Sequence, residues 1–374
     1  MKGKNWVMII IGSVLGFIVG IWGAKILNYL LQGQDIPFLV VVIIAVLVFY
    51  ISVAIHELGH FFAFIYNKIS MRMLNITIFS FIFDGSRWKL AFNRNGAGVG
   101  GIAVPNLTIV SNEKEFNEMQ KGHANAILWG PIVSFLLILV GGLLFTINGY
   151  LRVTGIMFIC INLIMFFSCF IKMDGVYGDF PAYKAYKEDD FFAALMMYQY
   201  AMFAVDYENI RKNNTYLRNI LFKGLIPRVE NKKTDILTVA CVATFIGEYL
   251  VGVADEVPGQ VKEYIGYYYD NYKMIIAMKN TEANKQLLLY IAYFFEREGF
   301  KDEAIDIYKN FIQKLPKSEV FNYWKIQSEQ IILGKDHSKH LLDKKNIKPG
   351  LAYGVFKKLD GFYHDELILN QMLT

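Results

Sequence analysis

Apolar, uncharged residues gather into four long stretches: Trp6–Ala24, Ile36–Ile55, Ala124–Leu151 and Val153–Ile171. Each approaches or exceeds the roughly 18 to 20 apolar residues that cross a bilayer core. Charge returns after Lys172, and the remainder patterns as helix with polar faces. The pattern predicts a polytopic α-helical membrane protein with about four transmembrane helices and a C-terminal helical domain. Lys2 and Lys4 precede the first stretch as in a signal peptide, but no small-x-small cleavage site ends it. Residues 1–35 therefore read as a retained transmembrane anchor.

Between the second and third stretches, Asn67–His123 has a different rhythm. Met73–Phe83 alternates in part and is rich in Ile, Phe and Thr, Asp84-Gly85 follows, and Trp88–Phe92 comes next. Two strand-like runs about Asp-Gly predict a hairpin. Gly96, Gly98, Gly100 and Gly101 then interrupt any regular element before Ile102–Pro105. The expectation is a small β-sheet over 70–105 at the membrane surface. Residues 36–180 would form a membrane core and 181–374 a cytoplasmic helical domain.

Within that domain, Leu288, Ile291, Ala292, Phe295, Gly299, Ala304, Tyr308 and Pro316 match the spacing of one tetratricopeptide unit around 285–317. One unit cannot bury its apolar face alone, so a tetratricopeptide-like array and an unrelated helical bundle both stay open. Ile236–Val253 raises a fifth span, but Glu248 and Asp255 interrupt or bound it, which favours a buried core helix.

Charge orients the chain. Lys25–Asp35 and Asn148–Arg152 carry one basic residue each, whereas Lys2, Lys4, the seven Lys and Arg residues from Lys68 to Lys121, and Lys172 fall on the other side. The positive-inside rule puts that side, with both termini, in the cytoplasm. A net charge of +5 suits contact with an inner leaflet and gives no reason to invoke nucleic acid. Cys160, Cys169 and Cys241 form neither a CxxC pair nor a disulfide framework, and read as packing residues.

The chemistry centres on His56-Glu57-Leu58-Gly59-His60. Residues four apart share a helix face, so both imidazoles can reach one Zn²⁺, and Glu57 can serve as general base towards water. Chance produces such a motif in a chain this long about once in a hundred. Its place near the end of a membrane helix sharpens it, because an ionisable residue at mid-bilayer costs about 2.5 to 3.5 kcal/mol on insertion scales. Three protein ligands leave one position open on a catalytic zinc. The metzincin continuation fails, since Ala63 and Tyr66 occupy the places of its glycine and third histidine. Asp174, in Lys172-Met173-Asp174-Gly175, lies at the end of the last span, which returns to the side of His56–His60. Alone, Asp-Gly is a common turn; beside the first motif it becomes the leading third ligand, with Asp179 the fallback. His337 and His340 sit among lysines and read as a solvated face.

These motifs resemble the site-2 protease (M50) family of intramembrane metalloproteases. His56–His60 matches that family's HExGH, Met173-Asp174-Gly175 its LDG, Trp129–Ser134 its GPLAN segment, and Gly100-Gly101 a glycine pair preceding it. The likeness runs over roughly Val40–Asp179. It implies His56, His60 and Asp174 as zinc ligands, Glu57 as acid–base residue, and Gly100, Gly101, Gly130, Pro131 and Ser134 as supports of the site or substrate. It implies a substrate that is a membrane protein or membrane-bound peptide, and a multi-pass place in a bacterial plasma membrane. Two positions depart from the family: Ser134 replaces an Asn, and Phe166–Cys169 replaces Asn-Leu-Leu-Pro. Competing readings are a non-catalytic membrane scaffold that recruits a cytoplasmic protein through the helical domain, and another membrane zincin with a distal glutamate ligand.

Overall fold

The computed structural model describes residues 36–94, 100–173, 175–350, 353–356 and 359–372. The anchor expected over 1–35, and Gly96, Gly98 and Asp174, lie outside the described residues. The chain is mostly helical, with one small antiparallel sheet. Three described helices are long and apolar enough to cross a membrane: α1 (Phe38–Tyr66), α2 (Glu113–Phe145) and α3 (Tyr150–Ser168). At 1.5 Å per residue α1 is about 43 Å long, well beyond the roughly 30 Å of a bilayer core. Its length leaves whole turns for His56–His60 beyond the apolar run.

Two compact units divide the described residues. One holds 36–52 and 135–164, the other 53–134 and 165–372. In the first, Asn162 Nδ2 donates to Ser52 Oγ and to Phe158 O, each at 2.9 Å, with both side chains fully buried. This answers the need of a polar amide in an apolar bundle for internal partners.

The second unit begins with the last turns of α1 and a sheet of β1 (Met71–Ile76), β2 (Phe79–Phe83), β3 (Trp88–Phe92) and β4 (Gly101–Pro105), in the order β3-β2-β1-β4. The single run expected over Met73–Phe83 is two strands, because the chain reverses at Thr77, whose φ is 51°. The Asp84-Gly85 turn does join β2 to β3: Asp84 accepts from Ser86 N and Arg87 N, each at 3.0 Å. Pairing sets Phe79 opposite Phe92, Phe81 opposite Leu90 and Phe83 opposite Trp88. Alternation puts all six on one face, where Trp88, Leu90 and Phe92 are exposed. The other face buries Met73, Ile82 and Val104 against Val355 and Leu359 near the C-terminus, and Asn93 Nδ2 donates to Val355 O at 2.8 Å.

After two paired strands, β5 (Lys172–Met173) and β6 (Val176–Tyr177), the rest is helical. The elements that matter below are α4 (Asp179–Glu188), α5 (Asp190–Gln199), α6 (Tyr207–Asn213), α7 (Thr215–Glu230), α8 (Ile236–Leu250), α9 (Gly259–Met278), α10 (Glu282–Glu298) and α11 (Lys301–Asn310). They share one core with Leu107, Val110 and Phe116, which precede or open α2. Helix α8 covers the segment that raised a fifth span. Its fifteen residues reach only about 22 Å, and Val239, Val242, Phe245 and Ile246 are buried in the helical core. Its Glu248, 1% exposed, is held by Arg218 Nε at 3.0 Å and by the Tyr198 hydroxyl. Of the tetratricopeptide-patterned residues, Leu288 to Phe295 fall on α10 and Ala304 and Tyr308 on α11, which pack together around Gly299, while Pro316 lies beyond α11; one such pair does not make a repeat array.

Candidate metal centre

Helical spacing sets His56 and His60 on one face of α1, with ring centroids 4.9 Å apart and Nε2 atoms 3.2 Å apart. Each ring is oriented from behind. His60 Nδ1 donates to Ala126 O at 3.0 Å, which leaves the neutral ring's lone pair on Nε2. His56 Nδ1 lies 2.8 Å from Ser134 Oγ, fully buried, which can take its hydrogen and free Nε2 in the same way. Ser134 stands where the family has Asn, and a hydroxyl suffices for this contact.

The start of α4 brings the carboxylate. Asp179 Oδ2 lies 3.5 Å from His56 Nε2 and 3.8 Å from His60 Nε2. Asp179 was the fallback among sequence candidates, and Asp174 lies outside the described residues. Burial acts to raise the pKa of Asp179, but the neighbouring His56 and His60 rings, when protonated in the metal-free site, hold it below the ordinary carboxylate value. Cys169 is the residue that sequence reasoning missed. Its Sγ donates to Asp179 Oδ2 at 3.1 Å. No spacing rule reveals it, because the contact depends on how the chain turns between α3 and α4.

Two glycines shape the floor. Gly130 of α2 lies against the imidazoles so closely that a Cβ there would sit 2.7 Å from His56 Nε2. Pro131, next along, lacks the N–H that would bond Ile127 O inside α2. Gly101, at the start of β4, lies against Glu57, and a Cβ there would sit 2.6 Å from Glu57 Cδ. Gly100 before it takes a left-handed φ of 81°. Of the residues expected to support the site, Gly101 lies against Glu57, Gly130 against both imidazoles and Ser134 against His56, whereas nothing lies within 4 Å of a Cβ built on Gly100.

Do these residues fit a metal ion? Zn–N and Zn–O bonds of about 2.0 to 2.2 Å in a tetrahedron put donor atoms about 3.3 to 3.6 Å apart. The separations of 3.2, 3.5 and 3.8 Å among His56 Nε2, His60 Nε2 and Asp179 Oδ2 bracket that range. Two imidazole nitrogens and one carboxylate oxygen around a common point, with a buried glutamate beside them, suit a catalytic divalent ion with an open position. A cavity of 570 Å³ adjoins the three donors and Glu57.

The model of Peptidase family M50 matches residues 44–326. The chain belongs to this family. No curated protein and no solved structure compared with it matches. Family membership makes it a metallopeptidase, and the three apolar helices make this M50 chain a membrane protein. The match extends past the metal centre, through α5, α8 and α10, so the helical region belongs to the family's pattern.

Proposed function

We propose that this M50 chain is a zinc-dependent intramembrane endopeptidase, hydrolysing a peptide bond in a transmembrane segment or membrane-bound peptide near the cytoplasmic face. The observation that carries the reading is the convergence of His56 Nε2, His60 Nε2 and Asp179 Oδ2 beside the buried Glu57. His56, His60 and Asp179 would hold the ion. A bound zinc supplies Lewis-acid chemistry, polarising a carbonyl and making water acidic enough to ionise near neutral pH. Glu57 takes the proton from the attacking water and returns it to the leaving amine. Ser134 and Ala126 keep the imidazole rings facing inward, and burial of all three α1 residues excludes bulk water.

Substrate must be extended, since a helix shields its carbonyls by internal hydrogen bonds. Strand β4 is an edge of the sheet, and Gly101–Ala103 line the cavity beside Glu57. An unwound segment adds to that edge and is held across the metal centre. The exposed apolar face of β2 and β3 rests on the bilayer, and the basic residues around it meet the inner leaflet with the termini in the cytoplasm. Substrates then include membrane-tethered regulators and peptide precursors. To test this, membrane peptides are compared between a strain carrying wild-type protein and one carrying His56→Ala. Precursors should accumulate in the variant and their fragments should be absent; identical peptide sets would sink the proposal.

The third ligand has its own test. Asp179→Asn removes a charge that draws both imidazoles, so zinc retained through chelator dialysis should fall at least tenfold. Asp174→Asn, at the position implied by the family resemblance, should retain zinc. The opposite pattern would transfer the role to Asp174.

A further inference from the structure

The cavity beside the metal centre extends well beyond the reacting groups. Part of its wall is His56, Glu57, His60, Asp179 and the β4 edge, and Tyr177, Tyr186, Gln199 and Tyr200 add polar groups; its apolar share comes from Phe192 and Met196 of α5, Ile236, Leu237 and Ala240 of α8, and Ala283 of α10. None of these six side chains is charged. We infer that the helical region supplies the pocket that reads the substrate residue beside the scissile bond, and that it selects a bulky apolar residue. This deepens the peptidase reading and rests on it.

Three observations support the assignment. First, the wall stands on packed helices and meets the segment that leads into Asp179. Ile236 opens α8 directly over Gly175, where a Cβ would stand 3.1 Å from Ile236 Cγ2. Asp235 caps the helix by accepting from Thr238 N at 3.2 Å, and Glu248 is pinned by Arg218 at its other end. A wall on packed helices can discriminate more sharply than one on loops. Second, the volume of 570 Å³ falls inside the roughly 300 to 1,000 Å³ of ligand pockets. An extended backbone along β4 leaves room there for a large side chain. Third, the wall residues are partly buried where they face the cavity, although Phe192 is 2% exposed and anchors the rest in the core. A charged substrate side chain would find no counter-ion on this wall, whereas an apolar one exchanges water for packing contacts.

The test uses the full-length protein in bilayer nanodiscs and a panel of membrane peptides that differ only at the residues flanking the cleaved bond, read by mass spectrometry. Wild-type protein should prefer Leu, Met or Phe over Gly, Ala or Asp by about 10-fold or more in kcat/KM, the scale on which apolar pockets discriminate. Ala240→Trp fills the pocket and should shift the preference to small residues, chiefly through KM for the bulky substrates, with zinc content at the wild-type level. Met196→Ala enlarges the pocket, and zinc-loaded protein of this variant should show relaxed discrimination in favour of the largest side chains. Cleavage by wild type with no side-chain preference, or an unchanged profile in zinc-loaded Met196→Ala and Ala240→Trp proteins, would overturn this inference alone. Wild-type protein that cleaves no peptide in the panel would overturn the peptidase reading and this one with it.

Discussion

Glu57→Gln should bind zinc at the wild-type stoichiometry and cleave about 10² to 10⁴-fold more slowly, the range a positioned general acid–base contributes. The substitution keeps the size and shape of the side chain, so the contact with Gly101 and the packing at the start of β4 are preserved. It deletes the ability to accept a proton from water. Nothing among the described residues stands in for it: Asp179 faces the imidazoles, and the Cys169 thiol donates to that carboxylate. Single-turnover cleavage of a membrane peptide, paired with metal analysis of the same preparation, gives both numbers. Wild-type rates in a zinc-loaded Glu57→Gln protein would remove Glu57 from the chemistry. Loss of zinc would instead make it a residue that holds the ion.

Gly130→Ala should abolish zinc binding while leaving the fold intact. The new methyl would project to within 2.7 Å of His56 Nε2 and against the His60 ring, into the space where the donors converge. Neither imidazole can retreat cheaply, because Ser134 and Ala126 hold both from behind. The backbone cannot yield either, since Gly130 lies inside α2 between Trp129 and Pro131. Alanine is a better helix former than glycine by up to about 1 kcal/mol, but crowding the two buried rings costs about 1 to 3 kcal/mol, so the metal-free variant should unfold somewhat earlier than metal-free wild type while still folding. A metal-free but folded variant is the expected outcome. A Gly130→Ala protein with a full complement of zinc would show that the donors open wider than their present spacing.

Much of the centre was legible because local periodicity carries it. His56, Glu57 and His60 form a motif whose meaning needs only a helix, and α1 is an apolar run long enough to be nothing else. The buried character of α8 was equally readable, since Glu248 and a short apolar run argue against a span. The split of Met73–Phe83 into two strands was not. A run of alternating residues does not reveal a reversal when the turn residue is Thr77 and no glycine or proline marks it.

Ser134 shows the boundary between the two kinds of knowledge. By sequence it was a departure from a family position, equally readable as helix packing; in the fold its hydroxyl sits 2.8 Å from His56 Nδ1. The same holds for Asp179, at the start of α4, and Cys169, just past α3, ten residues apart and brought to 3.1 Å by the chain between those helices. Apolar stretch length and helical spacing established the membrane class, the motif helix and the kind of chemistry, because these are properties of neighbours along the chain. Which carboxylate faces the imidazoles, which backbone atoms must be bare of a Cβ, and which helices wall the cavity depend on side chains far apart in sequence meeting at one point. Only packing brings them there, and no period along the chain encodes it.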